Sequence, residues 1–287
     1  SDFDSNHSLD DPRKGADVVG ALGMGHPFSC YRPFYPDVLE ADLTMKYAVV
    51  VFLLLQANSL GSATRITPRW VVWNVGQGLW ITGVFDSHCL HLDAGGERKP
   101  PSTLAVWCQG KRNQLHLSHW DWDHIGGVAS LARQLPALCR QGRPGGTTTS
   151  QARRKIIESL PLCQQESPLL HELHWRRSEK SANHASRVFV WKNQWLFPGD
   201  SPQIEEKKWL GQIPDPGKVR ILLLGHHGSQ TSTSEALLNS LSGLRLAIAS
   251  ARRKVYGHPH PKVTERLARK RIPLLRTEEW GHLIFEL

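Results

Sequence analysis

The sequence predicts an α/β fold in which two sheets are each covered on the outer face by helices. Three observations predict it. From residue 69 onward, short apolar or alternating runs of strand character take turns with stretches of helical spacing. Several of the strand-like runs stop at glycine turns. The chain has 287 residues, enough for one large domain or two small ones, with ample core. Sheets and helices that each carry one apolar face bury those faces best as stacked layers.

Taken in order, Arg69-Trp70-Val71-Val72-Trp73 reads as a strand, and Asn74-Val75-Gly76-Gln77-Gly78 as the turn after it. Strands are expected over 79–85 and 89–93, the second ending at Asp93-Ala94-Gly95-Gly96. Gln114-Leu115-His116-Leu117 alternates polar and apolar as a further strand. Val128, Leu131, Leu135 and Leu138 then recur at helical spacing, which predicts a helix to Pro136 or slightly beyond. Residues 141–155, with Gly142, Gly145, Gly146, three threonines and Arg143, Arg153, Arg154 and Lys155, form a polar, basic insertion. That insertion is either a solvated loop or a flexible arm for a phosphate backbone. Strands at 187–191 and 194–197 are joined by a Lys192-Asn193 hairpin turn, and the second stops at Pro198-Gly199-Asp200. The apolar run 219–224 is a buried strand leading into Gly225-His226-His227-Gly228-Ser229. A helix near 235–244, a strand at 246–250, the segment Tyr256-Gly257-His258-Pro259-His260-Pro261, a helix bearing Val263 and Leu267, and a strand at 282–287 complete the order.

Chemistry concentrates between the fourth strand and its helix. His119, Asp121, Asp123 and His124 fall within six residues, followed by Gly126-Gly127. A tight strand-to-helix loop lets such side chains converge, and the first N–H groups of the helix face the same point. Imidazole with carboxylate suits a divalent cation such as Zn or Mn. Helix capping explains one aspartate of this set but leaves the other aspartate and both histidines unexplained.

The loop Ser118-His119-Trp120-Asp121-Trp122-Asp123-His124-Ile125-Gly126-Gly127 resembles the signature of metallo-β-lactamase-fold hydrolases. Asp121 stands where that signature usually has its second histidine, and the variant resembles the C-terminal hydrolase domain of the ComEC/Rec2 competence proteins. Asp93, Gly199-Asp200, His226-His227-Gly228-Ser229 and Gly257-His258-Pro259-His260 follow in the family's order. Asn74 departs from it by replacing an aspartate, and His184 replaces an asparagine in Asn183-His184-Ala185-Ser186. The resemblance covers residues 69–287. It implies an αββα sandwich of two mixed sheets with helices on the outer faces, and two divalent metal ions, Zn or Mn. His119, Asp121 and His184 are expected at one metal, Asp123, His124 and His226 at the other, and Asp200 between them. His184 is equally compatible with a surface role. Asp123 is expected to be catalytic as well, and His227, His258 or His260 is expected to protonate the leaving oxygen.

Charge and composition bear on the substrate. Residues 1–63 hold eight of the 26 acids and four of the 35 bases, which leaves 18 acids and 31 bases beyond, a balance of +13. Such a balance favours a polyanion such as nucleic acid or an anionic membrane surface. All eleven tryptophans follow residue 63; Trp120 and Trp122, alternating with the ligands, suit either core support or contact with a base.

Residues 1–44 read as a poorly ordered leader. Met45-Lys46 and the apolar run 47–55 are too short for a bilayer span, which needs about 20 residues. With Gly61-Ser62-Ala63 they match a signal peptide, so residues 45–63 are expected to be an export signal or a membrane-proximal apolar segment, ahead of a domain at 64–287. A buried strand or the end of a truncated membrane helix is the alternative for the apolar run. Cys89, Cys108, Cys139 and Cys163 then suit either two disulfides or four buried thiols. The expected function is a metal-dependent phosphodiesterase cutting DNA, single-stranded by preference, in competence-type uptake. DNA and a membrane DNA-uptake channel are the expected partners, no dinucleotide cofactor is expected, and the location is exported, periplasmic or extracellular, with possible membrane association. A catalytically silent DNA-binding module, or a hydrolase of a small ester or lactam, are the alternatives.

Overall fold

The computed structural model describes residues 67–167 and 169–287. The leader at 1–44 and the apolar segment at 45–63 lie outside the described residues. Two six-stranded sheets make up the frame. The first runs β12 (Leu283–Glu286), β1 (Arg69–Val72), β2 (Trp80–Val84), β3 (His88–Ala94), β4 (Arg112–His116), β5 (Leu138–Arg140). The second runs β11 (Leu274–Arg276), β10 (Leu246–Ala249), β9 (Ile221–Leu223), β8 (Trp195–Phe197), β7 (Phe189–Trp191), β6 (Leu170–Glu172). Both are mixed: β3, β4 and β5 are parallel, as are β8, β9, β10 and β11, while the other neighbours are antiparallel.

The two-residue period of a strand sorts these sequences into layers. Trp70 and Val72 of β1, Ile81 of β2 and Leu90 and Leu92 of β3 point inward. They meet Phe189, Trp191, Trp195, Phe197, Leu223 and Ile248 of the other sheet. The alternate residues Val71 and Trp73 point outward, onto Leu104 of α1 (Thr103–Cys108), Leu131 of α3 (Val128–Gln134) and Ile157 of α4 (Gln151–Glu158). The loop helix α2 (Trp122–Ile125) lies between α1 and α3 in the chain. On the far side, Val190, Leu196, Leu222 and Ala247 pack on Trp209 of α5 (Gln203–Trp209), Leu237 of α6 (Glu235–Ser240) and Leu267 of α8 (Pro261–Arg269). Short α7 (Arg253–Tyr256) and α9 (Thr277–Trp280) complete the described helices. The layer order is helices, sheet, sheet, helices, which is the αββα arrangement implied by the resemblance.

Several elements differ from expectation. The helix after the ligand loop stops at Gln134, because Pro136 disfavours helical geometry in the residue before it. Leu138, which shares the helical spacing, belongs to β5 instead and pairs with Asn113 of β4. The last third of the basic insertion begins the helix α4, N-capped by Ser150, whose Oγ accepts from Arg153 N. Gly145 N donates to Ser118 O at 3.0 Å, so the insertion is fastened to the ligand loop rather than free. The helix expected over 235–244 ends at Ser240. The four cysteines among the described residues form two disulfides, Cys89–Cys108 and Cys139–Cys163. Each closes a loop of about twenty residues, which by loop-closure entropy is worth about 3 kcal/mol.

Candidate metal centre

Five strands deliver the candidate site. Asp93 lies near the C-terminal end of β3, and the ligand loop follows β4. Asp200 follows β8, His226 and His227 follow β9, and Ser250 follows β10. Because β3 and β4 are parallel, and β8, β9 and β10 likewise, these ends lie along one edge of the sandwich. Open α/β sheets commonly bind ligands at that kind of edge.

Asp121 occupies the N-cap position of α2 yet makes no capping bond. Its Oδ2 instead faces His119 Nε2 at 3.4 Å, so capping does not account for its carboxylate. His119 and His124 are fully buried. Asp200, 3 % exposed, sends Oδ1 to 3.1 Å from His124 Nε2 and Oδ2 to 3.9 Å from His119 Nε2. Asp123 Oδ2 meets His227 Nε2 at 3.0 Å. Two convergent donor sets result, His119 with His124 and Asp200, and Asp123 with His124 and His227.

Neighbouring groups fix which nitrogen of each ring faces inward. His227 Nδ1 lies 2.9 Å from Ser250 O, which only accepts, so Nδ1 carries the hydrogen and the neutral ring turns a lone pair at Nε2 into the site. His124 Nδ1 lies 2.7 Å from Asp93 Oδ2 and is held the same way. Asp93 also accepts from Ser118 N at 2.6 Å and Ser118 Oγ at 2.7 Å, and adopts a left-handed φ of 55°. The Nε2 atoms of His124 and His227 therefore face each other at 3.2 Å, two lone pairs that need a positive charge between or on them. His119 Nε2, buried and without a hydrogen-bond partner, points at the same region. Imidazole and carboxylate donors in this arrangement fit divalent cations.

The field of the cluster agrees. Burial opposes charging of His124, but Asp200 and Asp93 outweigh it and hold its pKa well above the ordinary imidazole value. Burial likewise opposes ionisation of Asp200, yet His124, His227 and His119 hold it well below the carboxylate range. Asp123 is lowered too, its burial outweighed by His227 and His124.

The backbone is shaped for this convergence. His226 and His227 take left-handed φ values of 50° and 55°, a conformation that costs non-glycine residues of order 1–3 kcal/mol each and that clusters at functional sites. Gly199, at φ 54°, brings the Asp200 turn against Ser118, where any Cβ would sit 2.8 Å from the Ser118 Cβ.

Other sequence candidates fall elsewhere. His226 lies 3.6 Å from Asp200 but belongs to neither donor set; His227, expected as a proton donor, takes the place beside Asp123 and His124. His184 is turned away, its Nδ1 2.8 Å from Ser181 Oγ, because it sits in a short 3-10 turn at Asn183–Ala185 that points Asn183 toward His226 instead. His260 is committed to capping α8, its Nδ1 accepting from Lys262 N. His258 stays near the centre, its ring 6.0 Å from that of His226 and its Nδ1 unpartnered. Asn74 Oδ1 accepts from Gly76 N at 3.3 Å and so closes a turn. Trp120 is 4 % exposed and bonded to Gly146 O, whereas Trp122 is 50 % exposed with the Arg153 guanidinium 5.9 Å from its ring centre. Sequence reasoning gave no role to Ser118 or Ser250, whose signals lie only in neighbours brought together by folding.

No protein-family profile matches the chain. It is 26 % identical to ComE operon protein 3 of Bacillus subtilis (strain 168) over 184 residues, covering 58 % of this chain and 24 % of that protein. It is 28 % identical to competence protein ComA of Neisseria gonorrhoeae over 230 residues, covering 75 % and 32 %. It is 28 % identical to recombination protein 2 of Haemophilus influenzae (strain ATCC 51907 / DSM 11121 / KW20 / Rd) over 240 residues, covering 75 % and 29 %. The chain thus spans about a quarter to a third of the length of these relatives, which are the competence proteins its motifs resemble. Among solved structures it is similar to the metallo-β-lactamase fold protein YhfI from Bacillus subtilis, with TM-score 0.47, 12 % identity and coverage of 77 % and 100 %. It is also similar to a diphosphatase from the PhnP family, with TM-score 0.47, 11 % identity and coverage of 76 % and 98 %.

Proposed function

We propose that this chain is a metal-dependent phosphodiesterase that cleaves DNA, with single strands as its preferred substrate. The observation that carries the reading is the pair of donor sets that share His124 at the common edge of both sheets. His119 and Asp200 would hold one cation and Asp123 and His227 the other, the single inward lone pair of His124 serving one of the two, with Zn and Mn the candidates. Bound divalent cations activate water near neutral pH and neutralise charge on a phosphoryl group. The chain's own residues orient and protonate. Asp93 and Ser250 hold His124 and His227 with Nε2 inward, and His258, whose Nδ1 has no hydrogen-bond partner among the described residues, would return a proton to the leaving oxygen.

The polyanion part of the reading is supported by the +13 balance after residue 63 and by the relatives' names, competence and recombination proteins. Trp122 beside Arg153 adds an exposed ring and a cation next to Asp121 and Asp123, a pairing that suits an unpaired base and its phosphate. Export is supported by the two disulfides, which form in oxidising compartments, and by the apolar segment at 45–63. No helix among the described residues is long and apolar enough to cross a membrane. A membrane DNA-uptake channel is the partner proposed in this reading.

The test is a nuclease assay on single- and double-stranded DNA, with Mn, Mg or Zn returned to stripped protein. Metal-dependent cleavage, faster on single strands, is expected. Absence of cleavage with every metal, alongside hydrolysis of small esters, would overturn the DNA reading.

A further inference from the structure

We propose that the cavity beside His226 is a nucleotide subsite, which receives one deoxynucleoside unit of a DNA strand next to the phosphate under hydrolysis. The proposal rests on the nuclease reading and adds to it where the neighbouring nucleoside goes. The cavity measures about 470 Å³ and is lined by Asn183, His184, Pro202, Ile204, His226 and Thr231, among others. That size lies within the range of about 300–1,000 Å³ usual for small-molecule pockets. It adjoins the donor cluster, because His226 lines it and also lies 3.6 Å from Asp200.

Charge separates the two regions. The cluster gathers Asp121, Asp123 and Asp200 around its histidines, whereas no lining residue of the cavity carries a carboxylate, ammonium or guanidinium group. A nucleotide is divided in the same way, into an anionic phosphate and an uncharged sugar and base. Pro202 and Ile204 supply an apolar wall for a ring face, and Ile204 is 54 % exposed although apolar. Asn183, His184 and Thr231 supply hydrogen-bonding groups for sugar or base edges. Ser181 Oγ occupies His184 Nδ1, which leaves Nε2 for a ligand. The histidine that sequence pattern places among metal ligands thus has a different task here.

The test is calorimetric titration of the full chain, in the presence of Mn, with thymidine 5′-monophosphate, thymidine 3′-monophosphate and inorganic phosphate. At least one nucleotide should bind about tenfold or more tightly than inorganic phosphate. In Ile204→Asp and in His184→Ala, both at accessible positions, that ratio should fall toward one. Equal affinity for all three anions, or a preference that survives both substitutions, would overturn the subsite. DNA cleavage by the same preparation separates the two ideas. Protein that prefers nucleotides but cuts no DNA keeps the subsite and loses the nuclease reading. Protein that cuts DNA without the preference does the reverse.

Discussion

Asp93 holds His124 through a contact of 2.7 Å between Oδ2 and Nδ1, and through Ser118 it also holds the start of the ligand loop. One carboxylate therefore sets both the tautomer of His124 and the position of the Ser118 backbone. Replacing such an outer partner typically costs about 10–100-fold in metal affinity. Asp93→Asn should lower affinity for Zn or Mn within that range, with the fold kept because a side-chain oxygen still accepts from Ser118. Titration calorimetry on both proteins checks it, and equal affinities would remove Asp93 from the metal argument.

The histidines should divide by metal content. His227 turns Nε2 toward Asp123 and His124, whereas His184 turns toward Ser181 and His260 caps a helix. Asp123→Ala and His227→Ala should each lose bound metal by elemental analysis, and His184→Ala and His260→Ala should retain it. Retention in Asp123→Ala would count against the proposed ligands; loss in His184→Ala would restore the ligand role that the sequence suggested.

What the sequence made legible depended on how local each signal was. The αββα layering was legible from the turn-taking of strand and helix runs and from the motifs that carry the resemblance, whereas β1, apolar on both faces, hides that Trp70 and Val72 serve one core and Val71 and Trp73 another. The loop from His119 to His124 was readable because its donors are contiguous. Edge strands β5, β6 and β11 are three residues each, too short for a period to register, and Leu138 of β5 shares the spacing of the helix before it. The choice between His226 and His227 was not readable either. It is decided by Ser250, far along the chain, accepting from one ring and not the other. Trp120 and Trp122 look alike in sequence, and only the placement of Gly146 and Arg153 separates a buried ring from an exposed one.

Those two tryptophans give opposite predictions. Trp120→Ala removes a ring that is 4 % exposed and should destabilise the protein by about 3–5 kcal/mol, read as a lower denaturation midpoint. Trp122→Ala should leave stability nearly unchanged and weaken single-stranded DNA by about 1–3 kcal/mol. Arg153→Glu should instead flatten the salt dependence of binding by about one unit for a lost phosphate contact. Single-strand affinity that is unchanged in Trp122→Ala would rule out stacking at that ring.

Acid should destabilise the protein through two histidines outside the candidate centre. His91 is fully buried on β3 in a directed chain of hydrogen bonds. Asn113 Nδ2 donates to Cys108 O and Lys111 O, so its Oδ1 accepts from His91 Nε2–H at 3.1 Å. His91 Nδ1 must then accept from Thr82 Oγ1, which in turn accepts from Trp73 Nε1. No position remains for a second proton, and burial pushes the pKa of His91 from 6.5 down to about 4. Burial, with Arg187 beside it, pushes His116 down to about 3. Below pH 6.5 the unfolded chain binds protons that these folded rings refuse, so stability falls as pH drops from about 6.5 toward 3. Above about 6.5 both states are neutral at these sites and the contribution is constant. Each histidine adds a slope of up to about 1.4 kcal/mol per pH unit within its window. Urea denaturation between pH 7.5 and 4.5 should show the decline, and His91→Gln, though less stable at pH 7.5, should show a shallower one. Identical slopes in the two proteins would mean that the acid sensitivity arises elsewhere, in the carboxylates of the centre.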